Sequence, residues 1–197
     1  MKQPIILLML TAFISFKPAD PLPIGASLPK GDLQLNEISG KQITLRESIG
    51  ANGLLVMFSC NTCPVVVANQ GRTVQVSQNA LKNNIGVVLL NSNEADRNGK
   101  ESLKAMKAYA DKHKYAWHYA EDKNSVLADA FGANRTPECF LFDKNGKLVY
   151  HGAIDDSPQD GDRVNRNHLT QAIEELINGK EISVKKSRSV GCSIKRN

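Results

Sequence analysis

No stretch of the 197-residue chain reaches the ~18 consecutive apolar residues that a membrane-spanning helix needs. That excludes a polytopic membrane protein. Aromatic side chains are scarce, at 6%, and charged ones ordinary, at 23%, beside 41% hydrophobic residues. Neither a disordered chain nor a collagen-like or coiled-coil rod has that balance. Internal repeats and low-complexity tracts are absent. Cysteine is limited to Cys60, Cys63, Cys139 and Cys192, too few for a disulfide-stapled scaffold, and the chain is long enough to bury one core without staples. A single domain of roughly 150–165 residues with terminal extras is the expectation.

The net charge of +5 has no breadth. Six cations (Lys180, Lys185, Lys186, Arg188, Lys195 and Arg196) stand against Glu181 at the C-terminus, so residues 1–179 are neutral overall. A neutral domain with a basic tail lacks a phosphate-tracking face, and no nucleic-acid partner is expected. The plain reading of the tail, 181–197, is a solvated, solubilising end. An anionic partner is the alternative.

At the other end, Met1-Lys2 precedes an apolar run from Ile5 to Phe16 and then Lys17-Pro18-Ala19-Asp20. A positive start, a short hydrophobic stretch and a polar, proline-containing stop describe a secretory signal over 1–19. A short uncleaved anchor is the alternative. Export to the periplasm or envelope of a bacterium follows, with 20–30 as a proline-rich linker and 31–180 as the domain.

Within that domain, alternation of Leu33, Leu35, Ile43 and Leu45 about Ser39-Gly40 predicts a hairpin. The runs Leu54–Phe58 and Ile85–Leu90 read as strands covered on both faces. Helices are expected over 64–83, 100–113, 126–131 and 167–178, and a short strand over 117–119. Strands 139–142 and 148–151 flank Asn145-Gly146, a strong hairpin signal. Strands alternating with helices predict an α/β fold with a mixed central sheet.

Cys60-Asn61-Thr62-Cys63-Pro64 falls where a buried strand becomes a helix. Unpaired N–H groups and the helix dipole favour an anion there, which lowers a thiol from its ordinary value near 8.5. The second cysteine lies one turn on, close enough to resolve a mixed disulfide. Half a zinc site is the competing reading, but Cys139 and Cys192 form no second pair and the histidines do not cluster at ligand spacing. A purely structural disulfide is weaker still, since so short a loop removes little unfolded-state entropy.

The strand before this motif, the motif itself, Thr136-Pro137 opening a later strand, Gly146 and Gly152 in the closing hairpin, and the terminal helix together resemble the thioredoxin superfamily. The likeness is to its redoxin branch, which includes the AhpC/TSA-like and TlpA-like proteins, and spans about 25–180. A subgroup reads Cys-Asn-x-Cys-Pro-Val-Val and ends in Gly-Cys-Ser-Ile-Lys, here Cys60 to Val66 and Gly191 to Lys195. The resemblance implies a thioredoxin-like fold with an N-terminal hairpin extension. It implies Cys60 as nucleophile, Cys63 as resolving thiol with a redox-active Cys60–Cys63 disulfide, a cis Pro137, and a Thr136 backbone that pairs with substrate polypeptide. No cofactor or metal is implied. The partners would be a protein carrying a disulfide or thiols and a separate electron donor or acceptor, such as a membrane thiol–disulfide transporter.

Auxiliary candidates carry two readings each. Cys139, among apolar neighbours, reads first as core and second as a redox thiol. Cys192 is a third redox thiol reaching the active site, or half of a Cys139–Cys192 bridge, or a free tail thiol. Arg135 is a loop charge or a guanidinium steadying the Cys60 thiolate. Glu94 is a loop residue or a proton acceptor near Cys63. The four histidines carry no constellation.

Three functions compete. A thiol–disulfide oxidoreductase of the cell envelope comes first. A thiol peroxidase, as an antioxidant, is the alternative; peroxiredoxins place Thr or Ser three residues before the peroxidatic cysteine, where this chain has Met57 before Cys60 and Cys60 before Cys63. A copper carrier using the soft thiolates is the third, but its relatives of this fold space their cysteines as Cys-x-x-x-Cys.

Overall fold

Apolar run length decides the strands. In chain order β1 (Leu35–Glu37) and β2 (Gln42–Ile43) make the expected hairpin, and β3 (Gly53–Ser59) is buried along its whole length. Helices α1 (Pro64–Ala68) and α2 (Gln70–Lys82) lead to β4 (Ile85–Asn91). Then come α3 (Leu103–His113), β5 (His118–Glu121), α4 (Val126–Phe131), β6 (Arg135–Thr136), β7 (Glu138–Phe142), β8 (Leu148–Gly152), α5 (His168–Ile177) and β9 (Cys192–Ser193). This computed structural model describes residues 20–196; the expected leader, 1–19, lies outside the described residues.

The main sheet runs β2-β1-β5-β4-β3-β7-β8. Its centre, β3 with β4 and β4 with β5, is parallel; the other pairs are antiparallel. The N-terminal hairpin extends the sheet by pairing β1 with β5. At the β7–β8 turn Gly146 takes φ +69°, the left-handed conformation that an Asn-Gly turn calls for. Alternation along β3 sorts its side chains into two layers. Leu55 and Met57 pack with Val76 and Ala80 of α2, Met106 of α3 and Leu169 of α5. Leu54, Val56 and Phe58 pack with Leu127 and Phe131 of α4. In that second layer Phe131 meets Phe58 and Phe140 edge-on at 5.4 and 5.1 Å, a geometry worth about 0.5–1.5 kcal/mol per pair beyond the buried area.

Three local expectations change. The helix expected over 64–83 breaks at Asn69, whose buried amide donates to the Val65 carbonyl at 2.8 Å and to the Pro158 carbonyl. Residues 20–30 are part of the fold: Leu22 donates its N–H to Phe131, Leu28 donates to Gly146, and the Leu28 side chain is buried. The basic tail is docked as well. Ile182 and Ile194 are buried in the two core layers, and Lys185 and Ser187 exchange backbone bonds with His151 on β8. Two isolated apolar side chains anchor a segment whose charge suggested solvation.

Candidate functional site

Strand β3 ends at Ser59, and the chain turns through Cys60-Asn61-Thr62 into α1, with Cys63 at its N-cap and Pro64 at its first position. Proline suits that place because its missing N–H would have no helical partner. A buried carboxylate from the segment just before α3 fixes the turn. Glu101, with no solvent exposure, accepts the Asn61 backbone N–H at 2.9 Å, the Thr62 hydroxyl at 2.6 Å and the Asn91 amide at 2.7 Å. Asn61 in turn donates to the Lys100 carbonyl at 2.8 Å and accepts the Tyr119 hydroxyl at 2.9 Å.

Against this turn lies the loop between α4 and β7. The Thr136–Pro137 peptide is cis. The Thr136 hydroxyl is 3.4 Å from Cys60 Sγ, and its carbonyl oxygen 3.4 Å from Cys63 Sγ. Both sulfurs therefore rest on one residue. The strand opposite is the chain's own tail: β9 is antiparallel to β6, with Cys192 facing Thr136 and Ser193 facing Arg135.

That pairing decides the disulfide. Cys63 is bonded to Cys192, with 6.0 Å between their Cα atoms, and Cys60 and Cys139 are free. The expected Cys60–Cys63 bond is thus not the one present. The register that sets Cys192 against Thr136 also brings its sulfur to Cys63, while Cys60 sits against the Thr136 hydroxyl instead. A Cys139–Cys192 bridge is excluded by the same geometry. Cys139 faces away from the site in the α2–α5 core layer, fully buried, and burial pushes its thiol far up.

Cys60 does not carry the lowered pKa expected of it. Only 1% of it is exposed, and burial pushes the thiol up. The Thr136 contact and the N–H groups of Cys63 and Thr62 pull it back, and the Glu101 charge raises it further. Burial is the largest of these influences, and the α1 N-terminus itself lies at Cys63, three residues past Cys60. The same burial lifts Tyr109 to about 12 and raises Tyr115 and Tyr119, each helped by the charges of Cys60 or Glu101 or both.

Two auxiliary candidates are elsewhere. Glu94 pairs with Arg97 at 3.0 Å in a single helical turn; the carboxylate at the cysteines is Glu101, seven positions on. Arg135 reaches the Gly191 carbonyl at 3.3 Å and the Ser193 hydroxyl at 3.4 Å, so it grips the tail rather than Cys60. A constellation that the sequence reading missed stands next to Pro137. Glu138, buried, accepts the N–H groups of Asn134 and Arg135 at 2.8 and 3.0 Å with one oxygen, and holds His151 Nε2 at 2.7 Å with the other. Its only signal was a charged residue inside an apolar strand.

The Redoxin family profile matches residues 23–168. Among solved structures, a hypothetical protein from Sinorhizobium meliloti 1021 is 31% identical, with TM-score 0.82, over 90% of this chain and 97% of that one. An uncharacterized conserved protein from Geobacillus kaustophilus is 30% identical, with TM-score 0.82, over 89% and 93%. In fold alone the likeness extends to the thioredoxin domain of a thiol-disulfide oxidoreductase from Bacteroides vulgatus, at 15% identity and TM-score 0.61 over 80% and 99%. The fold is thioredoxin-like. No curated protein matches this sequence.

Proposed function

The chain belongs to the Redoxin family, and on that premise we propose that it is a thiol–disulfide oxidoreductase acting on polypeptide disulfides through Cys60 and Cys63. One observation carries the reading: three cysteines meet at Thr136, two of them already joined and the third a free thiol in the same cluster. In the reducing direction, the Cys60 thiolate attacks one sulfur of the substrate disulfide and expels the other as thiolate. Cys63 thiolate then attacks Cys60 Sγ and expels the second substrate thiolate. The substrate gains two electrons and the dithiol becomes a disulfide. Glu101 keeps the turn in place through its bonds to Asn61 and Thr62.

The Thr136 hydroxyl beside Cys60 favours a second reading, a thiol peroxidase. It supplies from another loop the group that Met57 cannot. Cys60 thiolate would attack the peroxide O–O bond, releasing alcohol or water, and the sulfenic acid would condense with Cys63 and lose water.

Turnover separates the two. The reduced protein with dithiothreitol is expected to reduce insulin, and Cys60→Ser to abolish this. Rapid peroxide consumption with no insulin reduction would shift the assignment to the peroxidase. Residence in a bacterial cell envelope is part of the proposal, supported by the apolar run from Ile5 to Phe16 and a disulfide suited to an oxidising compartment; fractionation of cells that express the full chain tests it.

A further inference from the structure

Strand β9 holds the edge at which a polypeptide partner was expected, and every residue of its motif has a seat there. Gly191 passes so close to β6 that a β-carbon would lie 2.0 Å from the Thr136 carbonyl oxygen. Cys192 faces Thr136 and is bonded to Cys63. Ser193 takes the Arg135 guanidinium, and Ile194 is buried in the α4 core layer. Lys195 accepts the Ala95 N–H at 3.2 Å and donates its own to Asn93 Oδ1 at 2.9 Å. Arg196 pairs with Asp129 at 2.9 Å and donates to the Ala133 carbonyl at 2.8 Å. A strand added to an exposed edge is how extended peptides are bound. Here the guest is covalently part of the host.

We propose that Cys192 is a third redox thiol and its strand an internal partner of the dithiol, taking the disulfide from Cys60–Cys63 and holding the Thr136 edge until Cys63–Cys192 is reduced. The inference rests on the oxidoreductase reading. Cys192 thiolate attacks Cys63 Sγ, the Cys60–Cys63 bond breaks, and Cys60 leaves with the electron pair and takes up the proton that Cys192 gave. No electrons enter or leave in this exchange. Burial favours the released Cys60 as the neutral thiol, and Cys60 is the one of the three clustered cysteines that stands unbonded here. An external dithiol donor then attacks the half-buried Cys192, frees Cys63, and closes its own disulfide as it departs. With its covalent tie gone, β9 can yield the edge to the next polypeptide.

The full chain, reduced and then exposed to excess insulin without recycling reductant, supplies the test. Peptide mapping under non-reducing conditions is expected to find Cys63–Cys192 in the wild type and Cys60–Cys63 in Cys192→Ser. Trypsin is expected to cut at Arg188 about tenfold faster in the reduced wild type than in the oxidised form, because cleavage follows the population of the undocked tail. Insulin reduction with Cys60–Cys63 as the final wild-type bond overturns the relay. Equal cleavage in both redox states, a measurement that needs no variant, overturns the release. Failure of wild type and variant alike to reduce insulin strikes the oxidoreductase reading, and the relay falls with it.

Discussion

The carboxylate of Glu101 accepts the backbone N–H of Asn61 at 2.9 Å, across forty residues of chain, and so ties the turn between the two cysteines to the segment that opens α3. No cation approaches it in an ion pair among the described residues, and its charge disfavours a thiolate at Cys60. Removing the charge while keeping the shape should act on both. Glu101→Gln keeps one carbonyl acceptor where the carboxylate took three bonds, so a loss of about 1–3 kcal/mol of stability is expected. The Cys60 thiol should move down in the same variant, and its alkylation at neutral pH should accelerate. Iodoacetamide rates across pH decide it; an unchanged Cys60 profile would mean that the charge does not reach the sulfur.

Gly191 is the residue that lets the tail approach. Gly191→Val places a side chain on the Thr136 carbonyl, and backbone on both sides leaves nothing to give way. The core layers do not include residue 191, so the domain is expected to keep its unfolding cooperativity. The oxidised variant should lose most of its Cys63–Cys192 bond in favour of Cys60–Cys63, read by peptide mapping. Retention of the wild-type bond would show that covalent capture does not depend on β9 pairing with β6.

How much of this was legible follows from which forces are local. Runs such as Leu54–Phe58 and the Asn145-Gly146 turn carry their structure in adjacent residues, so the main-sheet strands, their succession along the chain and a mixed sheet could be read in advance. Cys60 and Cys63 both lie against Thr136, at the cis Thr136–Pro137 peptide. The pairing of Cys63 with Cys192 could not be read, since it needs a tail 129 residues further on to return to Thr136. Lysine and arginine give that tail its net charge, which suggested solvation, and Cys192 reaching the active site was one of three readings left open. Glu94 and Glu101 share one polar segment, and the path of the chain decides which reaches the cysteines. The Glu94 position falls where Arg97 captures it.

Glu138 links the loop that carries Thr136 to His151 on β8. Both partners are buried, with side-chain exposures of 5% and 9%. Truncation to alanine leaves the imidazole and two backbone N–H groups without their acceptor. A loss of about 3 kcal/mol is expected for Glu138→Ala, from the unfolding midpoint in urea. Insulin reduction should fall through kcat/KM, because Glu138 holds the segment leading into Thr136, the edge at which the proposed polypeptide substrate would pair. Stability lost with turnover intact would confine the pair to a structural role.

Alkaline pH should unfold the protein earlier than its carboxylates would suggest. Cys60 and Tyr109 are neutral when protonated, and burial raises both, the thiol above its ordinary value and the phenol from 10.0 to about 12. Tyr115, Tyr119 and Tyr150 shift the same way, also by burial. Above the ordinary value of each group the unfolded chain releases a proton that the folded chain retains. Fewer protons are then bound in the unfolded state, so stability falls as pH rises. Below about pH 8 these groups are protonated in both states and contribute no slope. The urea midpoint is therefore expected to stay level with respect to them up to that point and then fall continuously from about pH 9 toward 12. Tyr109→Phe should make the fall between pH 10.0 and about 12 shallower by one group of four, Tyr115, Tyr119 and Tyr150 keeping the rest, and leave the lower part to Cys60 and Cys139. A midpoint that holds steady through this range would mean that water reaches these side chains in the folded protein.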